Sequence, residues 1–399
     1  MTDRTEGAHL RNGRGRVDSV DVLRGVVMVL MALDHTRDFF GDASVSPTNL
    51  ATTTAPQFFT RWITHFCAPT FFLLTGVGAY LALRRRTPTE LSRFLLTRGL
   101  WLVLLELTVL RFLWQFNADY KVLLLTVFWA LGWSMVALAG LVRLPVRWVA
   151  AIGLAMIVLH DLADRIAPTA FGALGWAWHI LHVPGPLYMS PSHVVFVAYP
   201  LIPWIGVMAV GFSLGRVFDW TPDRRRAFLL RAGLGITATF VLLRTLNVYG
   251  DPVPWSAQRS SAFTLLSFLN TNKYPPSLLF LLMTLGPALL LLRLADRRTP
   301  MLLRPAETIG RVPLFYFVTH VLVLHLMAMG ASLIRYGGVH WMIESPTLDR
   351  FPVTQPPGWP APLPVVHLVW LTAVLLLYPA CRWYAAVKAR RPGGWLSYF

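Results

Sequence analysis

The chain has 399 residues, of which 55% are hydrophobic and only 14% are charged, and its formal net charge is +17. Soluble proteins carry about a quarter charged residues, so the composition excludes an ordinary water-soluble enzyme. The basic residues recur at alternate loops instead of forming one patch, which is typical of membrane topology and not of a nucleic-acid surface. No nucleic-acid partner is expected. Long apolar runs recur throughout, so the sequence predicts an all-α fold, a polytopic transmembrane helical bundle within a lipid bilayer.

Ten transmembrane helices are expected, and they are separated by basic turns on one side and longer polar loops on the other. In chain order they cover about 20–40, 58–83, 91–112, 122–142, 148–162, 193–218, 227–246, 278–294, 308–334 and 363–384. The segment 163–191 is rich in Gly, Pro and Trp, and we expect it to fold back onto the bundle.

The two ends of the chain are predicted to lie on the same side of the membrane. Residues 1–18 contain four arginines and form an expected cytoplasmic tail, 19–386 form one transmembrane domain, and 387–399 form a second cytoplasmic tail. The first apolar run lacks a small-residue cleavage site, so it is predicted to be a retained helix. An even number of helices and the excess of Lys and Arg on the tail side agree with this topology.

The first helix carries charged groups on an otherwise apolar segment. Arg24 and His35 are eleven positions apart, or about three turns, so they project from one face roughly 16 Å apart along the axis. Charged groups inside a membrane helix are costly, which makes this polar face a functional-site hypothesis. Asp34 and Asp38 are neighbours of the imidazole. The structural alternative is that Arg24 only pairs with Asp21 near the interface and that His35 is only an interfacial residue.

Four more polar residues are candidates for a binding site. His65 lies in the second predicted helix, His320 in the ninth, and Asn272 and Lys273 in a polar block before the eighth. For His65 the alternative is an interfacial position beside the neighbouring tryptophan. For the polar block the alternatives are a rigid outer turn and a cleft that binds substrate.

The run Arg84, Arg85 and Arg86 follows the second helix. Such a run is first a topology signal at the cytoplasmic face and second a possible phosphate-binding cluster. Cys67 and Cys381 lie far apart in apolar segments, which predicts neither a disulfide nor a metal site.

Several blocks of the chain resemble one known family. The first helix has an Arg, ten residues and a His, a pattern similar to the motif of the transmembrane acyltransferase superfamily. The blocks SVDVLRG, 66–76 with Pro69, NTNKYPPSLL and 310–320 occur in the order found in bacterial relatives of heparan-alpha-glucosaminide N-acetyltransferase, and together they resemble that family.

The resemblance implies an integral membrane acyltransferase of the bacterial inner (plasma) membrane. Acetyl-CoA or another acyl-CoA would serve as donor substrate from the cytoplasm, with no bound cofactor. A glycan, lipid-linked sugar or other envelope component would supply the accepting hydroxyl or amine from the other side. Arg24 and the run Arg84, Arg85 and Arg86 would hold the donor phosphates, because guanidinium groups grip phosphate bidentately.

In this scheme His35 is the general base that takes the acceptor's proton. Asp34 and Asp38 would assist, and Asp38, one turn on, is expected to hydrogen-bond the ring and fix its tautomer. His65, Asn272, Lys273 and His320 would contact the acceptor. The resemblance also implies a second route, an acyl-histidine intermediate, which in the human lysosomal relative is placed on a histidine in the loop after the first helix. The loop 41–56 contains no histidine, which leaves His35 as the candidate, and direct transfer and an acyl-enzyme both stay open.

A membrane transporter is the alternative function. Arg24, Asp34, His35 and His320 would then line a pathway for a proton or an anionic solute. The sequence lacks repeated halves and paired broken helices, which disfavours a transporter.

Overall fold

The computed structural model describes residues 17–297, 299 and 301–390, so the predicted tails 1–18 and 387–399 lie mostly outside the described residues. The helices are α1 Asp18–Phe40, α2 Ala55–Thr64, α3 Cys67–Ala82, α4 Pro88–Leu105, α5 Arg111–Gln115, α6 Val127–Leu141, α7 Val146–Leu159, α8 Gly175–Leu181, α9 Leu201–Leu214, α10 Pro222–Leu246, α11 Ser261–Leu269, α12 Leu278–Arg297, α13 Arg304–Gly310, α14 Pro313–Tyr336 and α15 Leu363–Arg390. The strands are β1 Val122–Leu125, β2 Gly185–Met189 and β3 Val194–Val197.

The helical bundle expected from the composition is confirmed. Within the described residues, seven helical segments are long and apolar enough to cross a membrane. The chain is therefore a polytopic membrane protein by length and composition of its helices. The number of about ten spans stays a prediction, because α1 and α4 carry charged residues and α6 is short.

Three predicted helices are interrupted. The second predicted helix divides between α2 and α3 at a turn formed by His65 and Phe66. The ninth divides before Pro313, which begins α14 at a position where its missing N–H costs nothing. The third continues from α4 through a π-helical turn, Glu106–Leu110, into α5. Within this turn the Glu106 carboxylate accepts hydrogen bonds from Thr126, from its backbone N–H at 3.1 Å and from its hydroxyl.

A small sheet replaces the predicted starts of two helices. Strand β3 is central, pairs in parallel with β1 and antiparallel with β2, and places Val122 opposite Val194. The fourth and sixth predicted helices are therefore too long at their N-terminal ends. The segment 163–191 contributes α8 and β2, and β2 joins this sheet, as expected for a segment that folds back onto the bundle.

Helix α1 lies at the centre of the bundle and packs against α2, α3, α12, α13, α14 and α15. Its contact with α13 is unusually close. A Cβ on Gly25 would lie 1.7 Å from the carbonyl oxygen of Ala306, and a Cβ on Gly310 would lie 1.8 Å from that of Asp21. Only glycine permits this approach. The contact fixes the start of α14 and so helps bring His320 to the face of α1.

Candidate active site

Two histidines from different helices meet at the centre of the bundle. His35 Nδ1 of α1 lies 2.6 Å from His320 Nε2 of α14, and His320 is fully buried. His320 Nδ1 lies 3.0 Å from the carbonyl oxygen of Tyr316, an acceptor, so this nitrogen carries the proton and donates it. His320 Nε2 then accepts from His35 Nδ1. This assignment, made from the hydrogen-bond partners, leaves His35 Nε2 with a lone pair and able to act as a base.

The prediction that Asp38 fixes the His35 tautomer is wrong. Asp38 accepts a hydrogen bond from Arg37 at 2.9 Å, and Asp34 accepts one from Arg37 at 3.1 Å and one from Arg61 at 2.6 Å. The two arginines, one in α1 and one entering from α2, occupy both carboxylates. The imidazole instead finds its partner in a histidine of α14.

A small central cavity, of about 30 Å³, adjoins His35. Its walls come from α1, the end of α2, the start of α3, the start of α6, and two loops. Besides His35, the groups that give it chemical character are Asp34, Cys67, Tyr199 and Lys273. This volume holds one small group beside the His35 ring.

A basic cavity of about 330 Å³ opens at the N-terminal end of α1. Five cationic side chains line it: Arg24, Arg86, Arg98, Arg311 and Lys388. They come from five separate places in the chain, and apolar side chains of α3, α4 and α6 form the other walls. Such a combination suits an anionic ligand with an apolar arm.

Neighbouring groups hold some of these cations in place. Arg24 forms the expected ion pair with Asp21, at 2.9 Å. It also lies on the wall of the basic cavity, so the ion pair and a place in the cavity occur together. Arg86 lies 4.1 Å from the centre of the Phe94 ring. The positive charges are thus oriented toward one space by partners on its rim.

Only part of the predicted arginine run lines this cavity. Arg86 does, whereas Arg84 forms an ion pair with Asp219 at 2.9 Å and donates to the carbonyl of Phe218. Arg85 is exposed. The predicted phosphate cluster Arg84, Arg85 and Arg86 therefore stays a prediction, with Arg84 held by the 3-10 turn that follows α9.

A third space, the loop cavity, has a volume of about 220 Å³ and is lined by Arg61, His65, Asn272, Lys273 and five further residues. His65 is 2% exposed, and its Nδ1 is buried without a hydrogen-bond partner in the described structure. The Asn272 amide donates to the carbonyl of Pro275 at 2.9 Å, so it shapes the loop as well as the cavity. The predicted residues His65, Asn272 and Lys273 are thus together, while His320 lies instead against His35.

The three cavities are neighbours. Lys273 lines both the loop cavity and the central cavity, and Thr64 of the central cavity precedes His65 of the loop cavity. On α3, Ala68 lines the central cavity and Phe71 lines the basic cavity, a separation of about 4.5 Å along the axis. The basic cavity, the central cavity and the loop cavity therefore follow one another, with His35 at the central one.

Sequence reasoning did not assign a site role to Arg61, Arg98, Arg311, Lys388 or Tyr199. Arg98 and Arg61 could have been identified from the sequence, because each is a charged residue inside a predicted transmembrane helix and such residues are candidates for a functional site. Arg311 and Lys388 carried no such signal, because each stands at a helix end where topology alone explains a positive charge.

The geometry can be compared with known proteins. The family profile described as heparan-alpha-glucosaminide N-acetyltransferase, catalytic, matches residues 16–249, more than half of the chain. The curated proteins give no match. The matched span contains Arg24, His35 and His65, whereas Lys273 and His320 lie beyond it.

Proposed function

Since the chain belongs to the heparan-alpha-glucosaminide N-acetyltransferase catalytic family, we propose that it moves an acetyl group from acetyl-CoA to a hydroxyl or amine of a sugar or another envelope component. The donor would bind in the basic cavity at the cytoplasmic face. The acceptor would bind in the loop cavity on the other side, and the two would meet at His35.

The observation that carries the proposal is the order of the three cavities. The basic cavity offers five cations to one ligand, and coenzyme A carries phosphates at one end of an extended arm with the thioester at the other. An arm that leaves the basic cavity beside Phe71 has only about one helical turn to cross before it reaches the central cavity. The basic side chains would hold the phosphates while the apolar walls take the arm.

The ring pair defines what His35 would do. The His35 Nδ1–H donates its hydrogen bond to His320, and His35 Nε2 carries no proton. His35 Nε2 would therefore take the proton of the attacking hydroxyl or amine. After the tetrahedral intermediate collapses, the same nitrogen would return the proton to the departing thiolate of coenzyme A. His320 would hold the ring in the productive tautomer, a task that a carboxylate performs in Ser-His-Asp sites.

Binding of the donor by purified protein tests the first half of this proposal. We expect saturable binding of acetyl-CoA, with the Kd raised about tenfold in Arg98→Gln and in Arg311→Gln, since each change removes a phosphate partner worth about 1.4 kcal/mol. Acetyl-pantetheine lacks the nucleotide phosphates, and its Kd should be nearly the same in all proteins. Arg85→Gln is the matched control, because Arg85 is an exposed arginine next to Arg86, which lines the cavity.

Absence of saturable acetyl-CoA binding by the unmodified protein would contradict the donor assignment. The transport alternative would then have to be tested by proton or solute flux into proteoliposomes, with His35→Asn as the variant expected to stop flux. Consumption of thioester distinguishes the two functions, because an acyltransferase cleaves the thioester of acetyl-CoA and a transporter does not.

A further inference from the structure

Lys273 occupies an unusual position for a lysine. Its side chain is only 8% exposed, and it lines both the loop cavity and the central cavity. Among the described residues around the central cavity it is the only lysine or arginine. A buried ammonium placed between a substrate cavity and a candidate base faces the region where the reacting bonds would change.

The other charged group of the central cavity already has partners. Asp34 is bound by Arg61 and Arg37. The Lys273 ammonium instead lies 5.1 Å from the centre of the Tyr274 ring. The Lys273 side chain thus lies on the wall that the two cavities share, close enough to Asp34 and His35 for its charge to act on both.

The loop that carries Lys273 is anchored on both sides. The carboxylate of Asp251 accepts hydrogen bonds from the Asn272 backbone N–H at 2.8 Å and from the Ser277 hydroxyl at 2.7 Å. Arg244 donates to the carbonyl of Asn270 at 2.9 Å. Charged groups that are held in place before the reaction stabilise developing charge most effectively, because they need not reorganise.

We propose that the Lys273 ammonium stabilises the oxyanion that forms on the acyl carbonyl during transfer, an inference that rests on the proposed function. The acceptor's lone pair attacks the thioester carbon, a carbon–oxygen or carbon–nitrogen bond forms, and the carbonyl electron pair moves onto the oxygen that faces Lys273. His35 takes the acceptor's proton. The carbonyl then re-forms, the carbon–sulfur bond breaks, and the thiolate of coenzyme A leaves with the proton from His35.

This role differs from simple binding of the acceptor. A residue that only binds the acceptor affects KM for the acceptor, whereas an oxyanion partner acts mainly in the transition state and affects kcat. It also polarises the carbonyl of bound donor before any acceptor arrives. That polarisation can be measured without turnover.

The test uses acetyl-CoA labelled with ¹³C at the acetyl carbonyl and methyl glucosaminide as the acceptor probe. For Lys273→Met we expect kcat to fall on the order of 100-fold, with the Kd for acetyl-CoA and KM for the acceptor changed less than threefold. Isotope-edited infrared spectra should show the ¹³C=O stretch lowered on binding to the unmodified protein and unshifted in the variant. Lys273→Arg should recover part of both signals.

The matched control is Lys121→Met, since Lys121 is exposed and pairs with Asp119 in the turn before β1. This variant should keep normal kcat and a normal infrared shift. A Lys273→Met protein with normal kcat, or with a loss confined to KM and an unchanged infrared shift, overturns the proposal. If the unmodified protein and the control both fail to consume acetyl-CoA, the fault lies with the proposed function instead.

Discussion

At the scale of single residues, the centre of the account is the pair His35 and His320. Their nitrogens are 2.6 Å apart, and the chain of donors runs from His35 through His320 to the carbonyl of Tyr316. Because the last acceptor is a backbone oxygen, this chain adds no negative charge next to the base. His320 thereby selects the tautomer without the electrostatic pull that a carboxylate would exert on an imidazolium.

Substitutions at His320 test this positioning role. His320→Ala removes the acceptor for His35 Nδ1, so kcat should fall about 10- to 100-fold while the Kd for acetyl-CoA stays the same. His320→Asn supplies an amide oxygen as acceptor and should recover part of the rate. The measurement is kcat over a range of pH, together with thermal unfolding to confirm that each variant folds.

The exposed His340 provides the control, because its ring lies 3.7 Å from that of Trp341 and it begins a short 3-10 helix, His340–Met342, outside the described cavities. His340→Ala should leave the rate unchanged. Equal activities of His320→Ala and His320→Asn would argue against a hydrogen-bonding role for this residue.

Part of this site could be predicted from the sequence. The polar face of α1 identified Arg24 and His35 by helical spacing alone, and the block before α12 drew attention to Lys273. The wrong partner was chosen for His35, because sequence spacing relates residues of one helix only. The approach of His320 and Arg61 depends on the packing of α14 and α2 against α1, which no local pattern specifies.

At the scale of helices, the contact between α1 and α13 holds the site together. Gly25 and Gly310 face each other's helix backbones, and both stand in sequence blocks quoted for the family resemblance. The missing side chains of these two glycines let α13 lie against α1, and this contact sets where α14 begins. The position of His320 follows from that contact.

Gly25→Ala tests the contact. The added methyl group would overlap the carbonyl of Ala306, so α1 and α13 must separate, at a cost of about 1–3 kcal/mol. We expect a lower unfolding temperature in detergent, and activity lost along with it. Gly330→Ala is the control, because nothing lies within 4 Å of its Cβ position and alanine in a helix interior stabilises by about 0.5–1 kcal/mol. A normal unfolding temperature for Gly25→Ala would show that the helices are not in such close contact.

The sequence predicted the long helices well and their interruptions poorly. Val122–Leu125 is a run of four apolar residues that fits a buried helix and a buried strand equally, so its pairing with Val194–Val197 was not foreseeable. The π-helical turn at Glu106 was equally hidden, because it depends on Thr126 reaching across from the start of α6. These features arise from contacts between elements.

At the scale of the whole molecule, the basic cavity, the central cavity and the loop cavity follow one another through the bundle. The basic cavity draws Arg24, Arg98 and Lys388 from three widely spaced helices, and the loop cavity collects polar side chains at the other end of the path. His35 stands between them at the central cavity. The Lys and Arg residues behind the net charge of +17, which first indicated topology, thus also include the five cations that line the basic cavity.

The measurement that tests this account most directly is acetyl transfer across a sealed proteoliposome membrane. Acetyl-CoA is supplied only on the side of the basic cavity and methyl glucosaminide only on the other, and the labelled product is counted for the unmodified protein and for His35→Asn. We expect transfer by the unmodified protein and a loss of at least about 100-fold in His35→Asn, with the Kd for acetyl-CoA unchanged. Normal transfer by His35→Asn, or transfer only when donor and acceptor share one side, would contradict the account.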